Sequence, residues 1–172
     1  MAMIPRMANL ISLRITLVPT SLGPSFPLYN EFNSILADCL LQSTIEQLSL
    51  SHFYYIPLSV LDNCSNIKKL TLDDCFTVSE PVFTSPSSQQ SLETLIFSGD
   101  HDRDLHFWAV RRVTRLTSLG MRDMPLDLDW TAFLELLTAC SNSLTRLDVD
   151  TGPDCMRYPY FCFLSNSLTY LS

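Results

Sequence analysis

The stretch Gly99-Asp100-His101-Asp102-Arg103-Asp104-Leu105-His106 places three carboxylates at alternate positions beside two imidazoles, donor types that divalent cations accept. A helix-loop-helix calcium loop is excluded, because glycine is required where Leu105 stands and a carboxylate where Arg111 stands. Zinc would draw on His101, His106 and one aspartate, yet two histidines five residues apart leave the remaining ligand unplaced. The aspartates better suit an acidic loop ahead of a helix, whose N-terminal dipole favours negative charge. No metal centre is expected. His52 stands alone and reads as a turn residue.

Nucleophilic and phosphate chemistry lack their motifs. Four glycines (Gly23, Gly99, Gly120 and Gly152) form no phosphate-cradling loop, no serine occupies a Gly-x-Ser-x-Gly turn, and no cysteine has a histidine beside it in sequence. No cofactor is implied, and the expectation is a protein that is not an enzyme. Trp108 and Trp130, each near the start of a helical pattern, are expected to pack rather than to bind.

What the chain does repeat is a spacing, apolar-x-x-apolar-x-apolar. The copies are Leu10-Leu13-Ile15, Ile45-Leu48-Leu50, Ile67-Leu70-Leu72, Leu92-Leu95-Phe97, Leu116-Leu119-Met121 and Leu144-Leu147-Val149, with Leu168-Leu171 opening a seventh. Successive starts lie 35, 22, 25, 24, 28 and 24 residues apart, mostly within the period of about 20–29 residues of leucine-rich repeats. Within each copy the apolar-x-apolar triplet alternates as a half-buried strand does. Parallel strands cannot be joined by tight hairpins, so helices or irregular turns must return the chain. The fold class expected is α/β: a leucine-rich repeat solenoid, or horseshoe, with strands on the concave side and helices and turns on the convex side. Residues 1–172 then form a single domain of about six repeats and a truncated seventh.

Several crossovers carry the helical period. Phe32, Ile35, Leu36, Cys39 and Leu40 fall on one stripe from Glu31 to Leu41. Pro57 suits a first helical turn before Val60, Leu61 and Cys64, and Asp129 or Thr131 suits the cap of a helix bearing Phe133, Leu136, Leu137 and Cys140. A fourth helix is expected around Leu105, Trp108, Ala109 and Val113. The crossover from Thr77 to Gln90, with Pro81, Pro86 and a Ser/Gln tract, is expected to be irregular, as is the turn-rich stretch Thr151 to Pro159.

Composition removes other classes. Eleven basic and eighteen acidic residues give a net charge of −7, which repels a phosphate backbone and argues against a nucleic-acid partner. With 47% hydrophobic residues the chain is too apolar to remain disordered. The longest uncharged run, Ile15 to Asn30, contains Pro19, Gly23, Pro24 and Pro27 and would break a membrane helix, so no membrane partner is expected. Arg14 interrupts the apolar stretch after Arg6, and no cleavage site of a secretory leader follows. An intracellular location, cytoplasmic or nuclear, is therefore expected. In that reducing setting Cys39, Cys64, Cys75, Cys140, Cys155 and Cys162 should be free and mostly buried thiols, and the Asn63-Cys64-Ser65 sequon carries no meaning.

The run Asp62-Asn63-Cys64-Ser65-Asn66-Ile67-Lys68-Lys69-Leu70-Thr71-Leu72-Asp73-Asp74-Cys75 resembles the cysteine-containing class of leucine-rich repeat, and Thr138 to Val149 matches its first half. The style is similar to the repeat regions of fungal F-box-like proteins. That resemblance implies the substrate-recognition arm of a ubiquitin ligase subunit, docking the ligase scaffold through an F-box. Fewer than ten residues precede the first repeat, so no F-box is recognised in this chain, and a fragment is expected. The position after the strand, usually Asn or Cys, is held by Val18, Phe53, Cys75, Asp100, Met124 and Gly152, so only the third repeat keeps it. The alternative is a repeat scaffold or regulator unrelated to ubiquitin, and the least favoured reading is a metal-dependent enzyme using Asp100 to His106.

A protein partner would meet the residues that point outward between the buried leucines: Ser12, Arg14, Gln47, Ser49, Lys69, Thr71, Thr94, Ile96, Ser118, Gly120, Arg146 and Asp148. Arg14, Arg146 and Tyr170 are the strongest candidates, because arginine and aromatic residues are enriched at binding hot spots.

Overall fold

A computed structural model describes residues 10–17, 32–38, 40, 44–54, 56–62, 66–78, 92–101, 105, 108–110, 115–123 and 130–150. Their apolar triplets become strands: β1 (Ser12–Thr16), β2 (Gln47–Ser51), β4 (Lys69–Cys75), β6 (Thr94–His101), β7 (Ser118–Arg122) and β8 (Arg146–Val149). These six pair in the order β1-β2-β4-β6-β7-β8, every neighbour parallel. Two short strands, β3 (Ile56–Pro57) and β5 (Thr77–Val78), form a separate parallel pair. The architecture is mixed α/β around a six-stranded parallel sheet.

Because side chains alternate along a strand, in-register pairing stacks the repeat into rows. One buried row runs Leu13, Leu48, Leu70, Leu95, Leu119, Leu147, and a second runs Ile15, Leu50, Leu72, Phe97, Met121, Val149. The four central members of each row are 0–3% exposed, while Leu13, Ile15, Leu147 and Val149 on the outer strands are half-buried. An inner strand has neighbours on both sides and an outer one on a single side. Each fully buried side chain contributes about 1.5–3 kcal/mol.

The strand entrances share one device. The carbonyls of Ile11, Glu46, Lys68, Glu93 and Thr117 each accept two backbone N–H bonds from the next strand's entrance, at 2.8–3.0 Å. Thr117 and Thr145 add a hydroxyl to the same carbonyl that their own backbone N–H reaches. The same pair of donors therefore sets the register at each step.

Helices cover the apolar face. The helix Trp130–Cys140 buries Ala132, Phe133, Leu136 and Cys140 on one stripe, with Leu137 half-buried. Thr131 is its second residue rather than its cap, correcting that expectation, and Asp129 lies outside the described residues. The helix Leu58–Asp62 buries Leu58, Val60 and Leu61. Pro57 ends β3 just before it, opposite Val78, instead of occupying the first helical turn. Residues 32–38 are helical, but the stripe expected there is rotated: Asn33, Leu36 and Leu40 are buried, whereas Ile35 is 45% exposed. Leu36 and Leu40 set the inward direction, and Ile35 falls more than a quarter turn from it at about 100° per residue. Phe32 packs its ring 5.5 Å from that of Phe53. Residues 105 and 108–110 are helical, with Leu105, Trp108 and Ala109 buried. No helix among the described residues is long and apolar enough to cross a membrane.

The start of the expected acidic loop is strand. β6 continues through Gly99 and Asp100 to His101, which pairs with Cys75 beyond a register shift between Asp73 and Cys75. Within the crossover expected to be irregular, Thr77 and Val78 form β5. Cys39, Cys64, Cys155, Cys162, Val113, Thr151 to Pro159 and the seventh copy at Leu168-Leu171 lie outside the described residues.

Candidate functional site

The outward positions of the strands form three further rows. The first joins Ser12, Gln47, Lys69, Thr94, Ser118 and Arg146, and the second joins Arg14, Ser49, Thr71, Ile96, Gly120 and Asp148. All the candidate face residues except Tyr170, which lies outside the described residues, thus share one surface. A third row, Thr16, Ser51, Asp73, Ser98 and Arg122, was not anticipated from the triplets because it lies one step beyond them.

Side-chain size shapes this face. Ser12, Arg14, Gln47, Lys69 and Arg146 are exposed, Ser49, Thr71, Thr94, Ile96 and Asp148 are half-buried, and Gly120 is buried. Gly120 is therefore not the outward-pointing contact expected of it. A β-carbon there would lie 3.3 Å from Ile96 Cγ1, so Ile96 fills the space in front of β7. Arg122 Nη2 donates to Asp148 Oδ2 at 3.3 Å, tying the third row to the second across β7 and β8. At the opposite border Lys68 Nζ donates to Glu46 Oε1 at 2.9 Å, which raises the lysine pKa.

The strand exits carry a second column that the triplets did not reveal. His52, Asp74, Gly99 and Asp123 directly follow the third-row residues Ser51, Asp73, Ser98 and Arg122, and all four are left-handed, with φ of 60°, 48°, 73° and 51°. Histidine, aspartate and glycine tolerate that conformation better than branched residues do. The recurrence of those types at the repeat interval was the available signal. His52 is thus a turn residue, as expected. Its Nδ1 lies 3.2 Å from Asp74 Oδ2, and the Asp74 carboxylate in turn covers Gly99 so closely that a β-carbon would collide with it.

Among the described residues no three His, Cys, Asp or Glu side chains form a group able to hold a metal ion. Asp102, Asp104 and His106 lie outside those residues. Cys75 and Cys140 are buried free thiols. Burial pushes the Cys75 pKa up to about 11 and also raises that of Cys140, which disfavours the thiolate a nucleophile requires. Cys75 Sγ instead donates to the carbonyls of Asp73 and Leu50 at 3.3 and 3.4 Å. Trp108 is 2% exposed and serves packing. No protein-family model, curated protein or solved structure matches the chain.

Proposed function

We propose that the chain is a leucine-rich repeat solenoid whose strand-lined face recognises another protein, and that it serves as the substrate-recognition arm of an F-box-type ubiquitin ligase subunit. The observation that carries the recognition reading is the parallel pairing of six strands in chain order, in register across their apolar triplets, which brings side chains from six repeats onto one surface. Repeat architectures use such laterally extended faces for binding. The assignment to a ligase rests on the cysteine-containing repeat at Asp62 to Cys75, in which Cys75 is buried at the strand exit.

Affinity capture with the full-length gene product tests both levels. Co-purification of ligase scaffold components, together with a substrate lost on Thr71→Arg, is the expected result. A partner lost on Thr71→Arg without any scaffold component would favour the reading of a repeat scaffold or regulator unrelated to ubiquitin. Capture insensitive to substitutions on the face would overturn recognition through it.

A further inference from the structure

The outward face is polarised along its strands. Lys69 and Arg146 lie in the first row, where the strands begin, and both are exposed. At the strand ends stand Asp73 and Asp123. Among the described residues the cation at that end, Arg122, is bridged to Asp148. The first row thus carries Lys69 and Arg146, beside strand entrances where Glu46 bridges Lys68 and Glu93 is exposed, and the strand ends carry mainly carboxylates; between them lies a central row of Arg14, Ser49, Thr71, Ile96, Gly120 and Asp148.

The dimensions select an occupant. Four residue steps separate the first row from the third, about 13 Å along the strands, close to the 10–12 Å diameter of an α-helix with its side chains. Six strands span about 24 Å across the sheet, the length of about 16 helical residues. Resting on the recognition reading above, we infer that the partner presents an amphipathic α-helix lying across the strands, with acidic residues along one flank and basic residues along the other. Its apolar ridge meets Ile96, its acidic flank faces Lys69 and Arg146, and its basic flank faces the aspartates. Because the first row and the strand ends differ in sign, they also set the direction in which the helix lies.

The test uses the full chain and three labelled helical peptides of about 16 residues with the same Ala/Leu ridge: glutamate on one flank and lysine on the other, lysine on both, or glutamate on both. Fluorescence anisotropy at low ionic strength should show the mixed peptide binding about ten-fold more tightly than either control, a gap that closes as salt screens the charges. In the Lys69→Glu/Arg146→Glu variant, whose exposed substitutions leave the core untouched, the all-lysine peptide should become the tightest of the three. Exchanging the peptide's two flanks should preserve affinity but reverse its direction, read from a spin label at one end. Equal binding of all three peptides, or none by any, would overturn the helix proposal. If the peptides fail while Thr71→Arg still abolishes capture of the natural partner, the helix falls and the recognition face stands; if Thr71→Arg leaves that capture intact, both fall.

Discussion

Ile96 of β6 lies over Gly120 of β7, with its Cγ1 3.3 Å from where a β-carbon would project. The central row of the outward face thus holds its apolar member and its missing side chain next to each other. Gly120→Ala asks Ile96 to yield by a few tenths of an ångström and should change stability by less than about 1 kcal/mol. Gly120→Val overfills the space and should cost about 1–3 kcal/mol. Urea unfolding of the Gly120→Val and Ile96→Ala single variants and of the double variant checks this, since a direct clash gives a double variant more stable than additivity requires.

At the strand exits, Gly99 should resist substitution for two reasons that separate experimentally. Gly99→Ala places a β-carbon at φ 73° and against the Asp74 carboxylate. A loss of about 2–4 kcal/mol is expected from strain and overlap together. In an Asp74→Gly background, which removes the carboxylate and tolerates the left-handed turn, the same substitution should cost only the backbone share of about 1–2 kcal/mol. Thermal melts of the four proteins would reveal an equal cost in both backgrounds if the carboxylate played no part.

The buried rows predict a gradient across the sheet. Leu72 is fully buried between neighbouring strands, whereas Leu147 is half-buried on β8, the outer strand among the described residues. Leu72→Ala should cost about 3–5 kcal/mol and Leu147→Ala about half as much. Equal losses in denaturant titrations would show that the outer strand is packed as tightly as the centre.

Much of this gradient was legible in the spacing of leucines. The two buried rows and the helices at Leu58 and Trp130 follow from periodicity, since each needs only a run of neighbouring residues to define its inward face. Ile35 was misassigned because a short helix permits two overlapping stripes, and packing of Leu36 and Leu40 chose between them. His101 falls in a segment whose aspartates suit an acidic loop ahead of a helix, yet pairing with Cys75 carries β6 that far. The outward face was legible only within each triplet and at the residue before it. The third row, and the closeness of Ile96 to Gly120, depend on register between repeats, which no single repeat encodes.

The Cys75 thiol makes stability sensitive to alkali. Its pKa is about 11 in the fold and 9.0 when solvated, mainly because burial penalises the thiolate. A folded pKa above the unfolded one means that stability is intact below pH about 9 and declines as pH rises toward about 11, where the unfolded chain ionises first. The loss at the upper limit is about 2–3 kcal/mol. Cys75→Ala should be less stable at neutral pH yet show a flatter decline between those values. An undiminished alkaline slope in that variant's urea midpoints would assign the effect to other groups.

Site-specific photocross-linking offers the most direct test of the outward face as the recognition surface. A benzophenone amino acid at Thr71, in the centre of that face, and another at the exposed Glu135, on the helix Trp130–Cys140, report on opposite sides of the sheet. With the full-length protein in its own cell extract, the account predicts a discrete covalent adduct from position 71 and none from position 135. An adduct from position 135 alone would place the partner on the helical side and contradict the account.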